Sequence, residues 1–127
     1  FKDPAAKKKL EHIVHPLVRR EMLAQADFAI SRDATCVVFD VPLLVESGER
    51  WRKQVDRVIV VDCDVPTQKQ RVMARSGLSA VEVERIVAQQ ATRAQRLACA
   101  DLVVVNQGLS FDDLDALMGQ VAADFGL

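Results

Sequence analysis

The chain holds no tyrosine, one tryptophan and five phenylalanines among 127 residues, and that scarcity of rings narrows its possible work. Proteins that grip single-stranded nucleic acid stack bases on exposed aromatic side chains. Residues 65–100, a basic stretch, contain no aromatic residue, so an RNA-binding or partner-binding role there has charge behind it and no stacking platform. Cysteine is scarce as well. Cys36, Cys63 and Cys99 are odd in number and lie scattered in apolar surroundings, which gives neither a disulfide framework nor a zinc-ligand spacing. No apolar run approaches the roughly 20 residues that span a bilayer. The start, Phe1-Lys2-Asp3-Pro4, has neither a signal peptide's apolar region nor an initiator Met, which points to a cytoplasmic protein and to a chain that begins inside a longer one. Absent too is any Gly-x-x-x-x-Gly-Lys-Ser/Thr loop, the usual cradle for nucleotide phosphates.

The formal net charge of −1 argues against a dedicated nucleic-acid or membrane-surface protein, yet it conceals an uneven distribution. Residues 65–100 carry six Lys and Arg against two Glu, a balance of +4, whereas residues 101–127 carry five Asp and no Lys or Arg. A segment this basic faces either an anion or plain solvent.

What is present reads as one α/β domain. Half of the residues are apolar and 28% charged, the ordinary composition of a soluble globular domain with a core. Asp3 and Pro4 supply an N-cap and a proline at the first helical position, predicting a helix with Leu10, Ile13 and Val14 on one side. Pro16 lacks a backbone donor and disfavours helical geometry at His15, so a kink or restart is expected there, followed by a second helix carrying Leu17, Met22 and Leu23. Residues 1–32 are thus mostly helical. Three apolar runs follow, Cys36–Val41, Val58–Val61 and Leu102–Val105; they are too short for helices, rich in β-branched residues, and read as parallel strands. Between the second and third lies a helical excursion, opened by Asp64 and Pro66, stopped by Gly77 and reopened by the capping box of Ser79 and Glu82. Ser110 with Asp113 opens a terminal helix whose core stripe is Leu114, Leu117, Met118 and Val121. No repeat, low-complexity segment or flexible linker interrupts this order, which is that of an α/β layer fold.

Several residues fit nucleotide chemistry. Asp40 ends an apolar run, where a carboxylate can orient Mg²⁺ or its waters beside phosphates; a turn-capping role explains it equally. Gln68, Arg71 and Arg75 recur at helical spacing on one face, and Arg85, Gln89, Arg93 and Arg96 form a second polar stripe on the next helix. A row of always-charged guanidiniums suits phosphoryl transfer, because it stabilises developing charge without moving a proton. Ordinary solvent-facing arginines are the alternative. His12 and His15 share a helix face, but Pro16 distorts it and no third ligand is evident, so a metal role is not favoured; His15 fits better as a hydrogen-bonding group, structural or directed at a polar substrate. Asn106-x-Gly108 is a turn after the last strand whose backbone and amide groups could meet a purine.

Taken in order, His15-Pro16-Leu17-Val18-Arg19, Asp40-Val41-Pro42-Leu43-Leu44-x-Glu46, Arg71-x-x-x-Arg75-x-Gly77-Leu78-Ser79 and Ala100-Asp101-x-x-x-x-Asn106-x-Gly108 resemble bacterial dephospho-CoA kinases over the family's C-terminal two thirds. The resemblance implies a three-layer parallel-sheet P-loop kinase fold, incomplete in this chain, with a helical substrate domain and a helical lid. It sets the acceptor domain at 1–35, core strands at 36–64, the lid at 65–100, and a further core strand with the C-terminal helix at 101–127. It implies transfer of the ATP γ-phosphoryl to the ribose 3′-hydroxyl of dephospho-CoA, the last step of CoA synthesis, with Mg²⁺. By this resemblance His15, Arg19, Leu43, Leu44 and Glu46 serve the acceptor. Arg71 and Arg75 meet ATP phosphates, Arg75 foremost and catalytic; Asn106 and Gly108 lie beside the adenine. Asp40 is catalytic and holds Mg²⁺ through water. The family's Walker A loop and its early acidic residue, the candidate base, have no counterpart here, so the piece is expected to be inactive alone. Its substrates are small molecules; neither nucleic acid nor membrane is expected as a partner. The competing readings are another P-loop small-molecule kinase, such as a nucleoside monophosphate kinase, and a non-catalytic binding module.

Overall fold

A computed structural model describes residues 3–127; Phe1 and Lys2, the first two residues of the expected helical stretch, lie outside the described residues. The chain divides into two bodies, residues 1–40 with 124–127, and residues 41–123.

In the first body Asp3 accepts hydrogen bonds from the backbone N–H of Ala5 at 2.8 Å and Ala6 at 3.2 Å, so the expected cap forms. Helix α1 (Pro4–Ile30) then runs 27 residues without ending at Pro16. This corrects the expected restart at His15. Pro16 forfeits one i→i−4 bond, and the good helix formers on both sides, Lys8 to Leu10 and Arg19 to Ala24, carry the helix across the gap. Leu10, Ile13 and Val14 are exposed on α1, while Ala26 near its end is buried. The helix stops where Ser31 Oγ donates to the Phe28 carbonyl at 2.7 Å and Asp33 turns through a left-handed conformation, φ 62°.

The segment beyond that turn is a second correction. Residues 36–41 form no strand, and the two-stranded sheet of the described residues does not include them. An extended apolar run becomes a strand only where a neighbour completes its backbone hydrogen bonds, and composition alone cannot supply that neighbour.

The second body begins with a turn at 42–48, held by Ser47 N donating to Leu43 O and Gly48 N to Val45 O, both at 3.1 Å, and continues into the single turn α2 (Glu49–Arg52). Strands β1 (Ile59–Asp62) and β2 (Leu102–Val105) are parallel neighbours, in register from Ile59 opposite Leu102 to Asp62 opposite Val105. Parallel neighbours need a crossover rather than a hairpin. Here it consists of α3 (Val65–Ser76), α4 (Ala80–Val87) and α5 (Arg93–Ala98).

Each helix is bounded by its own local chemistry. Asp64 caps α3 through Thr67 N at 2.7 Å, and Gly77 ends it in the left-handed region at φ 65°. Ser79 and Glu82 close the expected capping box on α4. Thr92 and Gln95 close another on α5, and this second box divides the expected stripe of Arg85, Gln89, Arg93 and Arg96: α4 has ended at Val87, and Arg93 starts a new helix. Lys69 on α3 meets Glu84 on α4 at 2.7 Å, so the hairpin is tied across its limbs.

Val83 and Val104 are fully buried, joined in the core by Val58 and by Val121 of α6 (Phe111–Asp124). The α6 start is closed by Ser110 and Asp113, each bonding the other's backbone N–H. Asp101 braces the entry to both strands: Oδ2 accepts from Val58 N at 2.7 Å and Oδ1 from Arg52 Nη2 at 2.9 Å.

Candidate functional site at the carboxyl edge of the strands

Open parallel sheets bind ligands beyond the carboxyl ends of their strands. In the second body that edge is formed by Asp62-Cys63-Asp64 after β1 and Asn106-Gln107-Gly108 after β2. The two exits are laced together. Asn106 N donates to Asp62 O at 2.8 Å, Asp64 N donates to Gln107 Oε1 at 3.0 Å, and Gln107 Nε2 returns a bond to Asp64 Oδ2 at 2.6 Å. Thr67 at the α3 start and Gln107 together hold the Asp64 carboxyl below the usual carboxylate range. Gly108 turns the chain away at φ 69°, a conformation costly for other residues.

Arg71 reaches this edge from α3, its Nη1 donating to the Asn106 carbonyl at 2.9 Å. Two of the candidate nucleotide residues are thereby joined, and Gly108 lies two residues further on. Arg75 stands one helical turn beyond Arg71 and is exposed. A third guanidinium, Arg93, belongs to the second polar stripe of the sequence, where it had no specific role. Arg93 grips Asp62 side-on, with Nε 3.1 and 3.0 Å from the two carboxylate oxygens and Nη2 2.6 Å from Oδ2. The Asp62 side chain is 4% exposed and that of Arg93 50%. Hydrogen bonding from Arg93 is the chief cause holding the Asp62 carboxyl below its usual range; burial opposes it, and the charges of Arg93 and Arg96 assist.

The 42–48 turn carries the Pro-Leu-Leu-x-Glu residues. Leu43 is exposed and Leu44 half-buried, the latter lining a cleft of about 500 Å³ with Val45, Arg52, Cys99 and Asp101. Glu46 Oε1 accepts from Ala91 N at 2.7 Å, fastening this turn to the link between α4 and α5.

The remaining candidates belong to the first body. His15 and Arg19 are exposed, four residues apart on one side of α1. Asp40, at the end of the apolar run, lines a cleft of about 280 Å³ with Met22, Gln25, Ala26 and Phe39. Among the described residues no group of three or more His, Cys, Asp or Glu is arranged to hold a metal ion. A lone exposed carboxylate of this kind fits a hydrated Mg²⁺, which keeps most of its waters, and does not make an all-protein cage.

The residues that sequence reasoning passed over at this site are Asp62, Asp64 and Gln107; Arg93 was read only as part of a polar stripe, without a partner. Asp62 had a usable signal. It ends the run Ile59-Val60-Val61 just as Asp40 ends Cys36 to Phe39, and the argument made for one applies to the other.

The architecture has a solved counterpart. A crystal structure of TT1252 from Thermus thermophilus matches with a TM-score of 0.76 at 35% sequence identity, covering 96% of this chain and 61% of that one. With the parallel β1–β2 pair and its helical crossover, this defines a member of the α/β P-loop kinase class. The family profile for dephospho-CoA kinase, CoaE, matches residues 1–112, and the chain belongs to the dephospho-CoA kinase family. Dephospho-CoA kinase of Albidiferax ferrireducens is 49% identical over all 127 residues, which cover 59% of that protein. That of Burkholderia thailandensis is 54% identical over 116 residues, 91% of this chain and 55% of the relative. The chain thus spans a little over half the length of these relatives. No helix among the described residues is long and apolar enough to cross a membrane.

Proposed function

We propose that this chain supplies the acceptor-side helix and the nucleotide-facing strand edge of an enzyme that phosphorylates dephospho-CoA with ATP. The ribose 3′-oxygen attacks the γ-phosphorus, the bond to the β–γ bridging oxygen breaks, ADP departs, and the hydroxyl proton passes to a base. The observation that carries this reading is family membership over residues 1–112, with relatives named dephospho-CoA kinase about half identical to the chain.

The geometry of the strand edge supports specific roles. Arg71 and Arg75, one turn apart on α3, meet the phosphates of ATP, and Arg75 stabilises the charge that develops in transfer. The tie from Arg71 to the Asn106 carbonyl brings this charge to the turn where Asn106 and Gly108 flank the adenine. Asp40 orders the waters of Mg²⁺. That ion, when bound with ATP, neutralises charge on the β- and γ-phosphate oxygens. His15 and Arg19 on α1 serve dephospho-CoA, as the family resemblance implies; Leu43, Leu44 and Glu46 of the 42–48 turn serve the same acceptor by that resemblance, and Glu46 retains one carboxylate oxygen beyond its bond to Ala91 N. In this reading residues 1–35 belong to the acceptor domain, 65–100 form the lid, and 36–64 with 101–127 belong to the core. The enzyme acts on small molecules in the cytoplasm.

Measuring ADP release by the enzyme tests the acceptor. Dephospho-CoA should be used in clear preference to nucleoside monophosphates. Preference for a nucleotide acceptor would replace this reading with that of a nucleoside monophosphate kinase.

A further inference from the structure

We propose that Arg93 is a third anion contact of the strand edge, offering its outer guanidinium edge to a phosphate of the nucleotide, and that Asp62 is the residue that positions it. The inference rests on the nucleotide-binding reading of this edge and adds to it a residue pair not assigned there.

A guanidinium has two edges able to make paired hydrogen bonds, one through Nε and a terminal nitrogen, the other through both terminal nitrogens. Asp62 occupies the first, with contacts of 3.1, 3.0 and 2.6 Å. The second edge, carrying Nη1, has no acceptor among the described residues. Burial is divided in the same way: the carboxylate is 4% exposed, whereas the Arg93 side chain is 50% exposed. The acid is enclosed and the cation faces outward.

Position favours a phosphate as the occupant. Asp62 is the last residue of β1, and its own carbonyl accepts from Asn106 N, so the Arg93 anchor lies on the same laced strand exits that receive Arg71. The charges gathered there are Arg71, Arg93 and Arg96 against Asp62 and Asp64, leaving the edge cationic even after pairing. A guanidinium clamped on one side loses less freedom when it binds an anion on the other, and Arg matches the oxygen spacing of phosphate where Lys does not. A purely structural pair would need only the first edge.

Direct titration of the enzyme with ATP, and separately with dephospho-CoA, tests this without requiring turnover. Arg93→Lys keeps a charge beside Asp62 but loses the fork. It should weaken ATP binding about tenfold or more, the effect of one charge-assisted contact, while dephospho-CoA affinity stays at the parental value. Asp62→Asn, which leaves the guanidinium unclamped, should reproduce the ATP-selective loss, and adding it to Arg93→Lys should cost little more. Unchanged ATP affinity in Arg93→Lys, or equal loss for both ligands, would overturn the proposal and leave the pair purely structural. If Asp62→Asn fails to fold, Arg93→Lys alone decides. An enzyme that binds ATP through Arg93 yet phosphorylates a nucleotide would refute the acceptor assignment and leave this one standing; one with no ATP affinity would refute both.

Discussion

Arg71 Nη1 donates to the backbone carbonyl of Asn106 at 2.9 Å, joining the first crossover helix to the turn after the last strand across 35 residues of sequence. The contact ties one N–H of a five-donor side chain to the strand edge. Arg75, on the same helix face, lies one turn further out.

Arg75→Ala should lower kcat about 10²-fold or more with dephospho-CoA affinity retained, because a group acting mainly on transition-state charge affects the chemical step. Steady-state kinetics with direct acceptor titration measures both quantities. Parallel loss in acceptor affinity would give Arg75 a binding role instead.

Asp62→Asn should also destabilise the fold. The buried carboxylate and Arg93 are paired at 2.6 Å, and removing the charge leaves a weaker, differently shaped partner for a half-exposed guanidinium. A loss of about 1–3 kcal/mol is expected, below that of a fully buried pair because Arg93 retains water. Urea denaturation of the variant checks the value.

Gly77 caps α3 at φ 65°, and an added Cβ would meet nothing within 4 Å. Gly77→Ala should therefore cost about 1 kcal/mol from backbone conformation alone. A much larger loss would mean that the position is packed.

Acid should unfold the protein through five named carboxylates. Asp62 is held low chiefly by Arg93, Asp64 by Thr67, Glu82 by Ser79, Glu84 by Lys69 and Asp113 by Ser110. In the unfolded chain such groups take up protons near pH 4, whereas the folded chain keeps them ionised to lower pH. The unfolded state then binds more protons, so stability is fully present above about pH 5 and falls as pH drops through the depressed folded values. Urea midpoints taken from neutral pH downward should stay level and then decline; a midpoint independent of pH down to about 3 would contradict these assignments.

The helix boundaries were legible because capping is local chemistry. Asp3, Asp64, Ser79 with Glu82, Gly77, and Ser110 with Asp113 act within four residues of themselves, and each occupies its expected place. The parallel pairing of β1 and β2 was legible from the long helical stretch between them. Cys36–Val41 was misread because an apolar run reveals that it can extend, not what will pair with it. Thr92 and Gln95 were overlooked as a cap, so two short helices were read as one stripe. The pairs Arg93–Asp62, Arg52–Asp101 and Glu46–Ala91 span 31, 49 and 45 residues, and no local periodicity reports such contacts. At the candidate site, residue types were readable; their partners were products of the fold.

The central claim is tested most directly by following label from [γ-³²P]ATP in the presence of dephospho-CoA and the enzyme, then locating the phosphate in the product. Label on the ribose 3′-oxygen, with one ADP formed per CoA, is the predicted result. Label appearing on a nucleotide acceptor, or none transferred to dephospho-CoA by enzyme that binds ATP, would contradict it.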